Sequence, residues 1–301
     1  MKLAMILLLA LTMSAAAAEM PQDDLRKGDS LLVVSWNVEN FFDWKDAGTG
    51  ASDAEFSPVG AKHWTSRKFY AKCNGIAKVL LLIAERKGRL PDAVAFMEVE
   101  NSYVMKQLLY STLLRKLDYR IIHYDSPDHR GIDCALIYRN STMKLLRSSA
   151  AHLYDSLGSV LPTRDILMAE FEDMSILVNH HPSKVGSGGE WRRKAAMERM
   201  NGLCDSLRNS GRPRILCVGD FNDDVWMNGG EGTIKYNGSW EKIDGQFSRG
   251  MEKVSEEVFS DPSLTVRDSA FGGIKPRRTY SGPRYLGGIS DHFPVVVTVY
   301  Y

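Results

Sequence analysis

The sequence predicts an α/β protein in which helices pack on the faces of a β-sheet. Short apolar runs rich in Val, Ile and Leu recur along the chain, separated by Gly, Pro and Asp residues and by longer amphipathic segments. The apolar runs have the length of buried strands, and two amphipathic segments have the length of helices. Strands followed by outer helices are typical of layered α/β packing, although periodicity does not order the strands.

The length and composition favour a single domain. The chain has 301 residues, 44% of them hydrophobic, which is enough to bury one large core. No interior stretch has the composition of a linker, and the sequence contains neither an internal repeat nor a heptad pattern. These features exclude repeat architectures and coiled coils and indicate an ordinary globular protein.

The first twenty residues, MKLAMILLLALTMSAAAAEM, have the layout of a secretory signal peptide. Lys2 precedes an apolar run that ends in small residues, so we expect cleavage after about Ala18. The alternative is a membrane anchor, but the run is shorter than the roughly 20 apolar residues of a spanning helix. We therefore expect removal of residues 1–18, a mature chain of residues 19–301 without a transmembrane segment, and export to the periplasm or the medium.

Bulk charge gives no argument for a polyanionic partner. Cleavage removes Lys2 and no acidic residue, so of 38 basic and 37 acidic side chains the mature protein keeps 37 of each. A formally neutral protein has no overall field that would attract a polyanion. Any contact with a phosphodiester must therefore come from a local group of residues.

The four cysteines have neither the spacing of a disulfide framework nor that of a zinc site. Cys134 and Cys217 lie inside apolar, strand-like runs, where a buried free thiol is the expected state. Cys73 and Cys204 lie in helical patterns, and either a free thiol or a disulfide is compatible with their positions.

Two segments are predicted to be helices. TSRKFYAKCNGIAKVLLLIAERKG begins with Thr65 as the N-cap and ends in basic residues and Gly88. EWRRKAAMERMNGLCDSLRNSG ends at Gly211 after a similar pattern. Both place apolar residues at helical spacing and charged residues elsewhere, as expected of helices that pack on the face of a sheet.

Polar side chains stand at the ends of five predicted strands. LLVVSWNVEN leads to Asn37, DAVAFMEVEN to Glu98, SILVNHHPS to His180, and RILCVGDFND to Asp220 and Asn222, whereas in SDHFPVVVTVY the polar Asp291 and His292 precede the strand. When strand directions alternate, such ends lie on one edge of a sheet, so we expect the side chains to converge. Unpaired carboxylates are costly to bury, which favours a site that holds a positively charged group.

The residue types are those of a divalent-cation site with acid–base groups. Mg²⁺, like Mn²⁺ and Ca²⁺, prefers oxygen ligands, which carboxylates and amides at these strand ends supply. An imidazole transfers protons near neutral pH, and for His292 the candidate partner is Asp244 in WEKIDGQF, an acid in an otherwise apolar run. Such a set is sufficient to hydrolyse a phosphoester with an activated water.

Each motif by itself has a structural explanation. Ser-Asp before an apolar strand is ordinary turn chemistry, and GDFND is also compatible with a turn. Glu98 could be the solvated end of a strand, and Asn37 an amide that caps a loop. We interpret the remaining histidines other than His180, His181 and His292 as surface or loop residues: His63, His123, His129 and His152. The prediction of a site therefore rests on the occurrence of all the motifs in order.

This ordered set resembles the endonuclease/exonuclease/phosphatase superfamily, the DNase I-like hydrolases. The motifs that carry the resemblance are SWNVENFF, FMEVEN, RGIDCALIYR, VNHHPSK, GDFND, KIDGQF and SDHFPV, which together span nearly the whole mature chain. The resemblance implies that residues 19–301 form one catalytic domain. It also implies a four-layer sandwich, with two mixed β-sheets in the centre, helices on both outer faces and the active site at one end.

The resemblance also implies roles for the carboxylates and amides at the strand ends. By position, Glu98 corresponds to the principal metal ligand, with Asn37 and Asp291 near the metal. Asp220 and Asn222 correspond to the pair that orients the attacking water and the phosphate. A Mg²⁺ ion is the implied cofactor, with Mn²⁺ and Ca²⁺ as alternatives.

Two histidines are implied in the site. His292, oriented by Asp244, corresponds to the general base or to the histidine that polarises the phosphate. In VNHHPSK, the family pattern and strand alternation select His180 over His181 as the histidine on the leaving-group side or at the scissile phosphate.

The segment YDSPDHRGID offers further candidates for the site. Asp125 and Asp133 flank Arg130 in it, and either aspartate is a candidate partner of His180. Arg130 would suit a phosphate clamp, because a guanidinium group binds phosphate oxygens in a bidentate fork. The alternative for Arg130 is a surface arginine in a loop.

The superfamily does not fix the substrate, since it includes nucleases, inositol-polyphosphate phosphatases and sphingomyelinases. The Trp-Cys-Asp-Arg signature of the inositol-polyphosphate 5-phosphatases is absent, no long aromatic hairpin suggests membrane docking, and FFDW is expected to pack in the core. GEWRRK and KPRRTYSGPR supply basic groups, the latter with Tyr280 and Tyr285, which would suit phosphate contact and base stacking.

We therefore expect an exported, Mg²⁺-dependent phosphodiesterase of the nuclease type. Its partner is a phosphodiester substrate, with nucleic acid among the candidates, and no stable protein partner is inferred. The alternatives are a phosphomonoesterase or lipid phosphodiesterase of the same superfamily, or a protein that binds a phosphorylated ligand without turnover.

Overall fold

A computed structural model describes residues 30–45, 50, 52–184, 189–223 and 232–300. The predicted signal peptide, residues 1–18, lies outside the described residues. Among the described residues, no helix is both long enough and apolar enough to cross a membrane.

Three α-helices and seventeen strands make up these parts of the chain. The helices are α1 (Ser66–Lys87), α2 (Ser102–Tyr110) and α3 (Gly189–Asn209). The strands are β1 (Ser30–Phe41), β2 (Ala93–Val99), β3 (Tyr119–His123), β4 (Asp133–Arg139), β5 (Leu145–Ala151), β6 (Ile166–Phe171), β7 (Ser175–His180), β8 (Ile215–Asp220), β9 (Ile234–Tyr236), β10 (Ser239–Glu241), β11 (Asp244–Arg249), β12 (Lys253–Val258), β13 (Thr265–Arg267), β14 (Ile274–Pro276), β15 (Tyr280–Ser281), β16 (Arg284–Tyr285) and β17 (Val295–Tyr300).

Two mixed sheets form the centre of the fold. The first sheet has the order β12-β17-β1-β2-β4-β3, and the second has the order β11-β8-β7-β6-β5. Within the first sheet only β1 and β2 run parallel, and within the second only β7 and β8 do. The prediction of mixed sheets is confirmed.

Strand β1 shows why its sequence is almost continuously apolar. Leu32, Val34 and Trp36 face a cluster that includes residues of α1, whereas Leu31 and Val33 face a cluster shared with the second sheet. Successive side chains of a strand point to opposite faces, so a strand covered on both faces must be apolar at every position. The first sheet is therefore enclosed between α1 and the second sheet.

The helices complete a four-layer sandwich, as predicted. Helix α1 packs on the first sheet and α3 on the outer face of the second. Thr65 is the N-cap of α1, without a side-chain capping bond, and Gly88 ends the helix at a φ of 68°, a left-handed conformation that suits glycine. Helix α3 ends at Asn209, two residues before Gly211.

All four cysteines are buried free thiols. This confirms the prediction for Cys134 and Cys217 and resolves the two open positions, Cys73 and Cys204, in favour of thiols. The sulfur atoms of Cys204 on α3 and Cys217 on β8 lie 3.5 Å apart, so this contact contributes to the packing of the helix on the second sheet.

Candidate active site

The predicted strand ends meet at one rim of the sandwich. Parallel β1 and β2 end where antiparallel β17 begins, and parallel β7 and β8 end where antiparallel β11 begins. A cavity of about 390 Å³ lies at this rim between the two sheets. Seven of the nine predicted site residues line it: Asn37, Glu98, Arg130, His180, Asp220, Asn222 and His292.

Asn37 links the two sheets through its side-chain amide. Its Nδ2 donates to Asp220 Oδ2 at 3.1 Å and lies 3.5 Å from Glu98 Oε1. Its Oδ1 accepts the backbone N–H of Glu39 at 3.0 Å, and this donor fixes which way the amide points. The geometry therefore differs from the predicted role near the metal, because the amide nitrogen, not the oxygen, faces the carboxylates.

Glu98 turns into the cavity at a strained point of the backbone. Its φ is 64°, a left-handed conformation that costs a non-glycine residue about 1–3 kcal/mol. The pairing of β1 with β2 shifts register between Asn37 and Phe41, and the backbone N–H of Asn40 donates to Glu98 Oε2 at 2.7 Å. The carboxylate is thus held at the cavity by the bulge rather than left as a solvated strand end.

Arg130 lies over Glu98 in the loop between β3 and β4. Its Nη2 donates to Asn40 Oδ1 at 2.7 Å and lies 3.7 Å from Glu98 Oε2. A third of its side chain is exposed, and the residue lines the cavity. Arg130 is therefore positioned to meet an anion that enters the cavity, as its predicted role requires.

Asp220, Asp244 and His292 form the buried centre of the site. The antiparallel register of β8 and β11 places Asp244 opposite Asp220, and His292 Nδ1 lies 2.8 Å from Asp244 Oδ2. One ligand atom from each of the three residues lies within 4.8 Å of the other two. The predicted pairing of Asp244 with His292 is confirmed.

Burial and neighbouring charges shift the pKa values of Asp220 and His292. Burial, and then the charge of Asp244, raise the pKa of Asp220 to about 7. Burial lowers the pKa of His292, but the charge and hydrogen bond of Asp244 outweigh it, with help from Asp220 and Asp291, and hold that pKa well above its usual value. Near neutral pH, Asp220 can therefore accept a proton while His292 keeps one.

His180 has a different environment on the same cavity. Its Nε2 lies 3.8 Å from Asp220 Oδ2, and its Nδ1 is buried without a hydrogen-bond partner among the described residues. Burial, and then the positive charges of Arg164 and Arg130, lower the pKa of His180 well below its usual value. His180 is therefore a neutral imidazole across the physiological pH range.

Neither predicted aspartate partner of His180 contacts it. Asp133 begins β4 beside the end of β3, so its carboxylate accepts the N–H of Ser126 and lies 3.3 Å from His123 Nε2. Asp125 is almost fully exposed and faces the other ring nitrogen of His123 at 3.8 Å. The interpretation of His123 as a surface or loop residue is wrong as well, because its side chain is only 3% exposed.

Arg164 is a site residue that the sequence analysis missed. Its Nη1 lies 3.1 Å from Asp128 Oδ2 and its Nη2 donates to the carbonyl oxygen of His181 at 2.8 Å. The same carbonyl accepts from Nδ2 of Asn222 at 2.9 Å. Arg164 thus connects the β3–β4 loop of the first sheet to the end of β7. The only signal in the sequence was its position just before an apolar strand.

Asp291 lies beside the cavity, in a second cluster that the sequence analysis missed. Its Oδ2 accepts from Arg278 at 2.9 Å, and Arg278 also contacts the buried carboxylate of Glu39. The backbone N–H of Thr279 donates to Glu39 Oε2 at 2.7 Å. Burial, and then the charge of Asp291, raise the pKa of Glu39 to about 7. Asp291 therefore shares one guanidinium with Glu39 instead of lining the 390 Å³ cavity.

The aromatic residues proposed to stack on bases do not form such a platform. Tyr280 is 4% exposed and packs against Phe56 and Trp64, and Tyr285 is half-buried beside it. In the other basic segment, GEWRRK, Arg192 lines the 390 Å³ cavity. The expectation that FFDW packs in the core is confirmed for Phe41 and Phe42.

The chain matches a known protein family over most of its length. The model of the Endonuclease/Exonuclease/phosphatase family matches residues 32–228 and 226–300. A search of curated proteins found no match to the chain.

Solved structures share the fold at low sequence identity. Humanised TDP2 of D. rerio with 14 mutations is 15% identical, with a TM-score of 0.54, and the match covers 91% of this chain and 100% of that one. D. rerio TDP2 complexed with a single-strand DNA product is 16% identical, with a TM-score of 0.53 and coverage of 90% and 99%. A mannosyl-6-phosphatase of Bacteroides thetaiotaomicron is 17% identical, with a TM-score of 0.55 and coverage of 90% and 100%.

Proposed function

Because the chain belongs to the endonuclease/exonuclease/phosphatase family, we propose that it is an exported hydrolase that cleaves phosphodiester bonds with a divalent metal ion and an activated water. One observation carries this proposal: buried Asp220 and His292 share a cavity with Glu98, His180 and Arg130. A protein that only binds a phosphorylated ligand has no need of a buried acid with a pKa near neutrality beside a charged histidine.

The donors at the rim fit a hard divalent cation. Glu98 presents a carboxylate to the cavity, and Asp291, which lies beside the cavity and pairs with Arg278, would be the second carboxylate ligand. One or two carboxylates, completed by water and phosphate oxygens, are the usual ligands of Mg²⁺, and Mn²⁺ or Ca²⁺ would accept the same donors. When bound, such an ion polarises the phosphoryl oxygens and offsets the charge that develops on them.

Asp220 and His292 divide the proton chemistry between them. Asp220 accepts the proton of the attacking water in this proposal. Its pKa of about 7 leaves a large fraction of the carboxylate ionised at neutral pH and makes that carboxylate a useful base. His292, paired with Asp244, keeps its proton and donates a hydrogen bond to a phosphate oxygen. Of the two roles considered for His292, the polarising one is therefore favoured.

A phosphomonoester is the second candidate substrate. Arg130 lines the cavity above Glu98, and its guanidinium group suits the higher charge of a terminal phosphate. The structural neighbours include both a TDP2 complexed with a single-strand DNA product and a mannosyl-6-phosphatase, so the fold alone does not choose between the two candidates.

The proposal is tested with the purified mature chain, residues 19–301. Hydrolysis of bis-p-nitrophenyl phosphate, p-nitrophenyl phosphate, plasmid DNA and RNA is measured with Mg²⁺, Mn²⁺, Ca²⁺ or EDTA. We expect metal-dependent diester cleavage that Glu98→Gln abolishes and that Glu172→Gln, at a half-exposed glutamate outside the cavity, leaves intact. Folded protein that turns over none of these esters would contradict the proposal, and cleavage of the monoester alone would select the second candidate.

Export is tested separately in the source cells. The sequence of residues 1–18 supports it, and we expect the chain outside the cytoplasm with a mature N-terminus near Glu19. Full-length chain retained in the cytoplasm would contradict export without affecting the proposed chemistry.

A further inference from the structure

One wall of the cavity carries polar groups that no role assigned above uses. Thr163 and Arg164 precede β6, and Arg192 lies in the first turn of α3. Thr163 Oγ1, Arg164 Nε and Arg192 Nε are buried and have no hydrogen-bond partner among the described residues. A buried polar group without a partner costs about 1–3 kcal/mol, so three such donors on one wall favour an acceptor beside them.

The start of α3 adds positive potential to the same wall. Gly189, the first residue of this 21-residue helix, lines the cavity next to Arg192. The unpaired N–H groups of a first helical turn carry a partial positive charge that favours anions. The field of this wall reaches the neighbouring histidine, because Arg164 is the largest cause, after burial, of the lowered pKa of His180.

The charges of the two arginines differ in how far they are already neutralised. Arg164 is 8% exposed and paired with the fully buried carboxylate of Asp128. No carboxylate among the described residues pairs with Arg192, whose ring neighbour is Trp191. Arg192 therefore carries the charge that remains available on this wall.

We propose that Thr163, Arg164, Arg192 and the N-terminus of α3 bind a second anionic group of the substrate, next to the phosphate that is hydrolysed. This inference rests on the proposed function and narrows its substrate class. Two substrates share the required chemistry: a nucleic-acid strand, through its next phosphate, and a small bisphosphorylated metabolite. A substrate with one isolated phosphate would leave the wall unpaired.

Matched esters test the proposal by kinetics. The p-nitrophenyl ester of thymidine 5′-phosphate and its 3′-phosphorylated form have the same scissile group and differ by one anion. We expect kcat/KM to be about tenfold or more higher for the 3′-phosphorylated ester, mainly through KM, as one charge-assisted contact provides. Arg192→Gln should reduce this ratio to near one, whereas Arg208→Gln, at an exposed arginine in the last turn of α3, should preserve it. Equal kcat/KM values for wild type, or an unchanged ratio in Arg192→Gln, would overturn the proposal.

A binding measurement separates this inference from the proposed function. Calorimetry in EDTA compares thymidine 3′,5′-bisphosphate with thymidine 5′-phosphate, without any turnover. We expect about tenfold tighter binding of the bisphosphate to wild type and to Arg208→Gln, and no preference in Arg192→Gln. Preferential binding without hydrolysis of any ester would refute the proposed function but support the subsite. Hydrolysis without preferential binding would support the function but refute the subsite.

The two sources of the second anion are distinguished with the same variants. A single-stranded DNA oligonucleotide and fructose 1,6-bisphosphate are each compared with a singly phosphorylated counterpart, thymidylyl-thymidine without a terminal phosphate and fructose 6-phosphate. Tighter binding of the oligonucleotide that depends on Arg192 supports a nucleic-acid strand as the substrate. Tighter binding of fructose 1,6-bisphosphate that depends on Arg192 supports a bisphosphorylated metabolite. If neither pair shows a preference that depends on Arg192, the proposal is overturned.

Discussion

His292 and His180 are buried at the same cavity, yet their proton affinities shift in opposite directions. His292 lies against Asp244, and the neighbouring acids raise its pKa well above the usual value. His180 lies 3.8 Å from Asp220, but burial and the charges of Arg164 and Arg130 lower its pKa well below that value. The cavity therefore has an acidic half around His292 and a basic half around His180.

The difference teaches that residue type does not set the role of a histidine in this site. His180 ends β7, His292 lies shortly before β17, and both residues are buried. Their neighbours decide which one carries a proton, because a carboxylate stabilises the imidazolium and a guanidinium opposes it. A metal and a charged histidine suit the acidic half, and anionic groups of the substrate suit the basic half.

Replacing His292, in the acidic half of the cavity, should have the largest effect on the rate of hydrolysis. In His292→Gln the site loses its charged hydrogen-bond donor, and we expect kcat/KM for a diester to fall about 10³–10⁴-fold. His152→Gln is the matched control, since His152 also lies 2.8 Å from an aspartate, Asp165, but is half-exposed and outside the cavity. A rate near that of wild type in His292→Gln would show that the acidic half is not catalytic.

Removing Arg164 should break the basic half and lower stability. Arg164→Met leaves the buried carboxylate of Asp128 without its partner, and we expect the free energy of unfolding to fall by about 3–5 kcal/mol. Arg147→Met is the control, because Arg147 pairs with Glu170 while two thirds of its side chain is exposed, and it should lower the free energy of unfolding far less than Arg164→Met does. Equal decreases in the free energy of unfolding for the two variants, measured by urea denaturation, would contradict the importance of the contact between Arg164 and Asp128.

The pH dependence of turnover sharpens the comparison. Asp220 must be ionised to accept a proton, so kcat/KM should fall about tenfold per pH unit below pH 7. After burial, Asp244 is the main cause of this raised pKa, so Asp244→Asn should move the acidic limb to lower pH while also lowering the maximal rate. Asp165→Asn should leave the limb in place. An acidic limb that stays near pH 7 in Asp244→Asn would show that another group causes it.

His181 concerns stability rather than turnover, and its effect is small near neutral pH. Burial, and then Arg164 and Arg193, lower its pKa to about 3 in the folded protein. The unfolded chain, with an ordinary histidine pKa near 6.5, then binds more protons below that pH. His181 should therefore contribute a decrease of about 1.4 kcal/mol in the free energy of unfolding per unit as the pH falls below 6.5 towards 3. His181→Gln should show a flatter dependence, and an identical slope would contradict the assignment.

Much of the fold could be predicted because it is written in local patterns. The apolar run of β1 and the terminal Gly88 of α1 depend on short-range periodicity and backbone conformation. The pair of Asp244 and His292 was also predictable, since an acid in an apolar strand needs a partner and His292 stood before another strand.

The contacts of polar side chains with distant parts of the chain could not be predicted in the same way. Arg278 and Glu39 are 239 positions apart, and neither belongs to a periodic pattern. The orientation of Asn37 depends on a backbone N–H of Glu39, which no side-chain identity reveals. The partner of His180 was mistaken because Asp133 stays in its own sheet beside His123. Such details depend on tertiary packing, which a single sequence specifies only through the complete fold.

The division of the cavity into two halves is tested most directly by nuclear magnetic resonance of the histidine side chains. Protein labelled with ¹⁵N-histidine is titrated from pH 5 to 8 without metal, with His180→Gln and His292→Gln used to assign the signals. We predict that His292 remains protonated on both ring nitrogens through pH 7, whereas His180 remains a neutral tautomer at every pH in this range. Titration of both rings together near pH 6.5 would contradict the account.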